Sequence, residues 1–235
     1  MSQVTTRGEA QTFAKILLDE KNDGFWSQTQ QNVLCDQANL IVFRELIKTN
    51  YEYFLNTATF TYPADTESID VVATVEGISK TPYKIIEFGA TPSSGSITPD
   101  NLLQVFRPMR FSERHMVQRA HNTVLASVQF NYVLLGGRLF LAPIPTEDLN
   151  CHLAYIEPLG TLSTANSTLL GGKAHEVFGD CVGYCLAWLM NAKQHDQNPA
   201  IDKMWGDALM RMQDNAVSQV STETGHVKVT RAAYE

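Results

Sequence analysis

The stretch FNYVLLGGRLFLAPIPTEDLNCHLAYIEP, residues 130–158, decides the fold. Two apolar runs flank Gly136-Gly137, and both central positions of the favoured two-residue hairpin turn need positive φ. Residues 133–135 and 139–141 are therefore predicted to pair as strands. Pro143 and Pro145 lack the N–H that a ladder needs, so they end the hairpin before residues 151–158 add another strand. Apolar residues fall on both hairpin faces, so we expect both to be covered.

The strand-like pattern extends on both sides of this hairpin, over residues 51–160. The segments YFLNTATFTYP, SIDVVATVEG and YKIIEF alternate apolar and polar residues and are separated by Pro, Gly, Ser and Asp. One interruption, TPDNLLQVFRPM, is predicted to be a short helix, with Thr98 as its cap, Pro99 in its first position and Pro108 at its end. The sequence thus indicates a β-rich module with a short helical insertion.

Residues 1–50 carry helical periodicity. A first helix presents one apolar face, made by Ala10, Phe13, Ala14 and Leu17. A second begins near Ser27, where Ser27 and Gln30 have the spacing of a capping box, and runs to about Thr49. Its apolar stripe consists of Leu34, Ala38, Ile41, Val42 and Leu46.

Residues 161–217 are predicted to hold a linker followed by a helical hairpin. The stripe of the first helix is Ala174, Val177, Phe178, Cys181, Cys185, Trp188 and Leu189, and that of the second is Ile201, Trp205, Ala208, Leu209, Met212 and Ala216. Asn198 caps the second helix and Pro199 starts it. Because neither helix buries its stripe alone, we expect the pair to pack on the N-terminal helices. The predicted class is α+β: a helical bundle from both ends of the chain, an inserted β-rich module, and an extended C-terminal tail over residues 218–235.

Composition limits the possible partners. The chain has 235 residues, with 25 acidic and 18 basic residues, a net charge of −7, and no basic run. Affinity for nucleic acid comes largely from basic groups that displace counterions, so sequence-specific duplex binding is disfavoured. No stretch approaches the roughly 20 apolar residues of a membrane span. We expect a protein without a membrane partner.

The cysteines and the N-terminus suggest where the chain is made. Cys35, Cys151, Cys181 and Cys185 show no disulfide-scaffold spacing, which favours a reducing compartment. The first residues, MSQVTTRGEAQTF, lack an apolar signal core. We therefore expect assembly in the cytoplasm.

No motif for catalysis, cofactor binding or metal binding emerges. Cys181 and Cys185 lie one helical turn apart near His175, but on an apolar stripe where free cysteines act as small hydrophobes. The segment SERH comes without a GxSxG elbow, and LLGGKAHE lacks the first Gly and the Ser or Thr of a phosphate-binding loop. We expect no catalytic, cofactor or metal residues and no enzymatic activity.

The order of the elements resembles the head-to-tail adaptor, or connector, proteins of tailed bacteriophages. The likeness is carried by WSQTQQNVLCDQANLIVFRELI, by YFLNTATFTYPAD, by YVLLGGRLFLAPIP, and by LAYIEP followed by AHEVFGDCVGYCLAWLM and AIDKMWGDALMRM. It covers most of the chain, although residues 81–117 depart from the family's pattern.

The resemblance implies a non-enzymatic virion protein at the head–tail interface. Such a protein forms a homo-oligomeric, dodecameric ring beneath the portal protein, meets a tail protein such as the nozzle, and lets DNA pass through its centre without reading its sequence. By the same analogy the C-terminal tail docks on the portal, through Val220, His226, Val227, Lys228, Val229, Thr230, Arg231 and Tyr234. The segment HVKVT is a candidate for strand addition, and the hairpin residues Val133, Leu135, Arg138 and Phe140 are a possible interface.

Two alternatives stay open at this point. The chain is compatible with another tail component, such as a terminator or nozzle protein. It is also compatible with a small-molecule-binding or hydrolytic enzyme that uses His115 or His121 in a cleft of the β module. A pocket holding a histidine with a strongly shifted pKa would favour the enzyme.

Overall fold

The computed structural model describes residues 3–19, 25–91, 104–116, 129–193 and 198–223. The chain divides into two compact units, residues 1–54 with 159–235, and residues 55–158. We call them the helical unit and the β unit. The predicted α+β class, with a β-rich module inserted between two helical segments, is confirmed.

The helical unit contains four long helices among its described residues: α1, Arg7–Leu17; α2, Gln28–Thr49; α3, His175–Asn191; and α4, Pro199–Glu223. The first two begin with complete capping boxes, Thr6 with Glu9 and Ser27 with Gln30. The second box is the one that the sequence predicts. Each box satisfies backbone N–H groups that would otherwise lack partners at the helix start.

The N-terminal and C-terminal helices pack together, as the sequence predicts. Phe13 of α1 meets Tyr184 of α3 edge to face with centroids 5.1 Å apart, and Trp188 of α3 stacks on Trp205 of α4 at 6.2 Å. The α4 stripe is confirmed, since Ile201, Ala208, Met212 and Ala216 are buried.

The β unit holds eight strands among its described residues: β1, Leu55–Tyr62; β2, Ser68–Asp70; β3, Lys84–Thr91; β4, Gln104–Val105; β5, Arg107–Pro108; β6, Asn131–Leu135; β7, Arg138–Ala142; and β8, Leu149–Ile156. They form two four-stranded sheets, ordered β1-β8-β3-β4 and β2-β7-β6-β5. One core lies between the sheets, because Tyr62, Phe88 and Leu153 of the first and Tyr132 and Leu141 of the second belong to one buried cluster. Short helical turns lie at Tyr51–Phe54, Val71–Thr74, Phe111–Glu113 and Leu169–Gly172.

The helix predicted to end at Pro108 is wrong over its second half. Residues 104–108 form β4 and β5 instead, with Phe106 buried between them. The Phe106 ring packs edge to face on Phe88, with centroids 4.8 Å apart. Packing of this aromatic side chain into the core overrides the local helix signal. The predicted cap at Thr98 lies outside the described residues.

The predicted linker is a packed segment. Leu162, Leu169 and Leu170 are buried within it. The Leu162 amide donates to Asp36 Oδ1 at 3.0 Å, and the Leu170 amide donates to Asn39 Oδ1 at 2.9 Å. Polar side chains of α2 therefore order a segment whose composition alone suggests a flexible connection.

The first part of the predicted extended tail is helical instead. Helix α4 continues to Glu223, so residues 218–223 are helical. The sequence explains the difference, because no Pro or Gly interrupts the chain between Gly206 and Gly225. Residues 224–235 lie outside the described residues.

Candidate interaction surface

The β6–β7 hairpin is built on the turn that the sequence predicts. Gly136 and Gly137 have φ values of 59° and 82°, and Leu135 pairs with Arg138 across them. Residues without a β-carbon adopt these positive φ values at little cost. The two-residue turn fixes the register, and the register fixes which side chains share a face.

One hairpin face is buried, and the described residues cover the other only in part. Tyr132, Leu139 and Leu141 point into the core of the β unit. On the opposite face Val133 lies directly across from Phe140, and Leu135 lies across from Arg138. The structure thus brings together the four residues that the sequence singles out as a possible interface.

This open face is only partly covered. Val133 and Phe140 are half-buried, whereas 51% of Leu135 is exposed and Arg138 is exposed. The expected cover is therefore incomplete within the described residues. An apolar strand face left open to solvent is a common mark of a contact surface.

Phe111 and Arg114 lie against the same face. The Phe111 and Phe140 rings meet edge to face at 5.2 Å, and the Arg114 guanidinium carbon lies 4.6 Å from the Phe111 centroid and 5.3 Å from that of Phe140. Arg114 Nη1 also donates to Glu67 Oε1 at 2.8 Å. We call Val133, Leu135, Arg138, Phe140, Phe111 and Arg114 the hairpin surface.

The hairpin surface combines apolar area with fixed positive charge. Cation–π contacts and the ion pair hold Arg114 in place, while Arg138 is exposed beside Leu135. Arginine and aromatic side chains are enriched where proteins bind each other. The arrangement suits recognition of another protein surface.

Sequence reasoning missed Phe111, Arg114 and Glu67. They lie more than 15 residues from the hairpin, and the sequence shows no spacing that links them to Phe140. An aromatic residue followed three positions later by arginine is a weak signal, since such pairs recur on helix surfaces.

The predicted tail residues fall largely outside the described part of the chain. Val220 lies within α4. The other seven, from His226 to Tyr234, lie outside the described residues. His121, one of the two histidines of the enzyme hypothesis, also lies outside them, and the other, His115, is exposed.

The thiols are shielded from reaction. Burial raises the pKa of Cys35, Cys151 and Cys185 to about 12, and that of Cys181 to about 11. Cys185 is buried in the helical unit, as the sequence predicts, and Cys181 is partly buried beside it. Thiolates are the reactive form, so these groups are poor nucleophiles near neutral pH. Within the described ranges no group of three His, Cys, Asp or Glu side chains is placed to hold a metal ion.

The helical unit has a groove of about 640 Å³ beside α1. Glu9 is the ionisable side chain in its wall, and the Thr5 and Thr6 amides donate to the Glu9 carboxylate. These hydrogen bonds, with that from the Thr5 hydroxyl, hold the pKa of Glu9 below its usual value. Since the carboxylate already serves the capping box, none of the described side chains that line the groove is a free acid or base.

No protein-family model matches the chain, and no curated protein matches its sequence. In the part of the chain that the structure describes, no helix is both long enough and apolar enough to cross a membrane.

Proposed function

We propose that this protein is a head-to-tail adaptor of a tailed bacteriophage, a structural component that forms a ring between the portal and the tail. The observation that carries the proposal is the hairpin surface, which exposes Leu135, Phe111 and Arg138 around the half-buried Phe140. A protein that acts by contact needs such a face, whereas an enzyme needs a site that converges on a substrate.

The resemblance of the sequence to adaptor proteins supplies the identity of the partners. In this proposal the helical units pack around a ring, the β unit meets the tail side, and residues 224–235 dock on the portal. DNA crosses the centre without being read, and no reaction is catalysed. The net charge of −7 is compatible with a channel that repels DNA.

The first test is the mass of the purified protein, alone and mixed with the portal protein of the same virion, by native mass spectrometry and electron microscopy. We expect a ring, or a monomer that becomes a ring on the portal, because a head-to-tail contact between copies closes on itself. A monomer that ignores the portal would exclude the adaptor function.

The second test removes residues 224–235, which keeps all of α4. We expect the truncated chain to fold normally and to lose portal binding. A truncated protein that still assembles on the portal would exclude the assignment of the tail.

A third test addresses the hairpin surface with a matched pair of variants. Leu135 and Val105 are each 51% exposed, but Val105 lies on β4 in the other sheet. Leu135→Arg should weaken binding of the tail protein at least about tenfold, the effect of losing about 1.4 kcal/mol. Val105→Arg should leave that binding unchanged. Equal effects of both variants would show that the hairpin surface has no special role.

A further inference from the structure

The two sheets of the β unit end in edges of very different length. Among the described residues three of their four edges are short: β4 and β5 have two residues each and β2 has three. The fourth edge is β1, with eight residues. Proteins normally blunt their sheet edges with short strands, charges, Pro or bulges, because an open edge is a template for another chain.

Strand β1 carries none of these protections. Its sequence, LNTATFTY, contains no charged residue and no Pro. All eight residues pair one to one with β8, without a bulge. Over residues 57–61 the side of β1 away from β8 has no strand beside it among the described residues. Among the described residues this is a bulge-free, uncharged edge without a neighbouring strand.

The side chains of β1 define what kind of strand fits. Thr57, Thr59 and Thr61 are exposed on one face. On the other face Ala58 and Phe60 pack against the core but stay partly exposed, and the Phe60 ring stacks on Phe88 at 6.0 Å. An added strand would complete this core if it placed an apolar side chain at every second position.

We propose that the edge of β1 binds residues 226–231 from a second copy of the chain. This segment reads HVKVTR, with Val227 and Val229 at alternate positions and polar or charged residues between them. Val227 and Val229 cover Ala58 and Phe60, while Lys228 and Thr230 lie beside the exposed threonines. The segment carries two cations and no carboxylate, which suits a chain whose net charge is −7.

This inference goes beyond the proposed function and makes the tail a switch. The same residues are assigned to the portal, and one strand cannot occupy two edges. Copies linked through β1 release the segment when the portal takes it. The β1 contact itself does not require the portal, so it can be tested without one.

The experiment is hydrogen exchange of the full-length chain, read by mass spectrometry at several protein concentrations. In the associated protein we expect β1 amides to exchange at least about tenfold more slowly than in the monomer. Native mass spectrometry of the same samples gives the number of copies. Slow exchange of β1 in a monomer, or fast exchange at every concentration, would overturn the proposal.

A matched pair of full-length variants identifies the occupant. Val227→Asp with Val229→Asp puts charge against the core, and we expect β1 to lose its slow exchange. Thr230→Asp adds charge to the face of the segment away from the core, and we expect β1 to keep most of its slow exchange. If the β1 amides still exchange slowly in both variants, another strand occupies the edge and the proposal is wrong. Unchanged tryptophan fluorescence shows that the helical unit stays folded, because Trp26, Trp188 and Trp205 lie in it, and unchanged exchange of the central strand β8 shows the same for the β unit.

A pair of synthetic peptides tests whether the main chain makes the contact. Both span residues 224–235, and one is N-methylated at Val227 and Val229, the other at Lys228 and Thr230. In an added strand alternate N–H groups point to the neighbour, so one peptide should restore slow exchange in the aspartate double variant and the other should not. Restoration by both or by neither would overturn the proposal, whatever the outcome with the portal.

Discussion

The helical unit and the β unit are held together by different kinds of contact. Six of the seven buried polar residues among the described residues belong to the helical unit: Arg7, Gln11, Gln31, Asn39, Asn50 and Asn191. Several bond backbone groups far away in sequence, as when Asn50 Nδ2 donates to the Ala216 carbonyl at 3.2 Å. The β unit contributes only Thr91 to that group.

The core of the β unit is instead held together mainly by contacts between aromatic side chains. Phe88 is fully buried and meets Phe106 and Tyr132 edge to face, with centroids 4.8 and 5.4 Å away. Its core therefore tolerates the loss of a single hydrogen bond better than the loss of a side chain. The helical unit should show the opposite sensitivity, because a buried amide without a partner is costly.

The largest effect is expected in the β unit, for Phe88→Ala. Removing a fully buried ring with three ring neighbours should lower the free energy of unfolding by about 3–5 kcal/mol. Phe111→Ala is the control, since 40% of that residue is exposed, and it should lose only about 1 kcal/mol.

Urea unfolding followed by thiol labelling of Cys151 reports on the β unit, and tryptophan fluorescence reports on the helical unit. A larger shift in fluorescence than in labelling would contradict the separation of the two cores.

The next effect belongs to the helical unit, at Gly179. A β-carbon there would lie 1.7 Å from the Val4 carbonyl oxygen, so the backbone has to move. We expect Gly179→Ala to lower the free energy of unfolding by about 1–3 kcal/mol, as overpacking does. Gly206→Ala is the matched control in α4, where a β-carbon meets nothing within 4 Å. It should stabilise the protein by about 0.5–1 kcal/mol. Changes of the same sign in both variants would show that the Val4 contact is not decisive.

A smaller effect tests the buried polar contacts directly. Asn39→Ala leaves the buried Leu170 amide without its acceptor, so we expect a loss of about 1–2 kcal/mol. Hydrogen exchange at Leu170 should also become faster. Asn166→Ala changes the same residue type at an exposed position of the same segment and should stay within about 0.5 kcal/mol of the parent. If Asn39→Ala behaves like Asn166→Ala, polar anchoring is not what holds the segment.

Features that depend on a few neighbouring residues could be predicted from the sequence. The Ser27–Gln30 capping box, the Gly136-Gly137 turn and the stripe of α4 each depend on residues that are close along the chain. The register of the hairpin followed from that turn, because a two-residue loop fixes it. The partly open face did not, since the sequence predicted cover on both faces.

Features that depend on contacts between residues far apart along the chain could not be predicted from the sequence. The stripe assigned to α3 includes Val177, which is 47% exposed, and omits Gly179 and Gly183, which are buried. Apolar periodicity does not mark glycine, yet these two let the Val4 backbone and the Phe13 ring approach the helix. Phe111 and Arg114 joined the hairpin surface for a similar reason, since only the folded chain brings them to Phe140.

The smallest effect per side chain comes from the buried thiols, whose titration distinguishes the two units at high pH. Burial raises the pKa of the thiols from 9.0 to about 12, or to about 11 for Cys181, so folding holds their protons between these values while the unfolded chain releases them. This stability is complete below pH 9 and is lost as the pH rises; at pH 9.5 the loss is about 0.8 kcal/mol for each thiol. The helical unit has three of these thiols and the β unit has Cys151 alone, so tryptophan fluorescence should show the larger loss between pH 7 and 9.5. Cys35→Ala should reduce that loss by roughly one third if the thiols act independently.

Burial also raises the pKa of Tyr62, Tyr132 and Tyr155 above the usual value near 10. At higher pH the β unit should therefore lose stability faster, and the difference between the stability losses of the two units should become smaller. A helical unit indifferent to pH up to 9.5 would mean that its thiols are more accessible than their burial indicates.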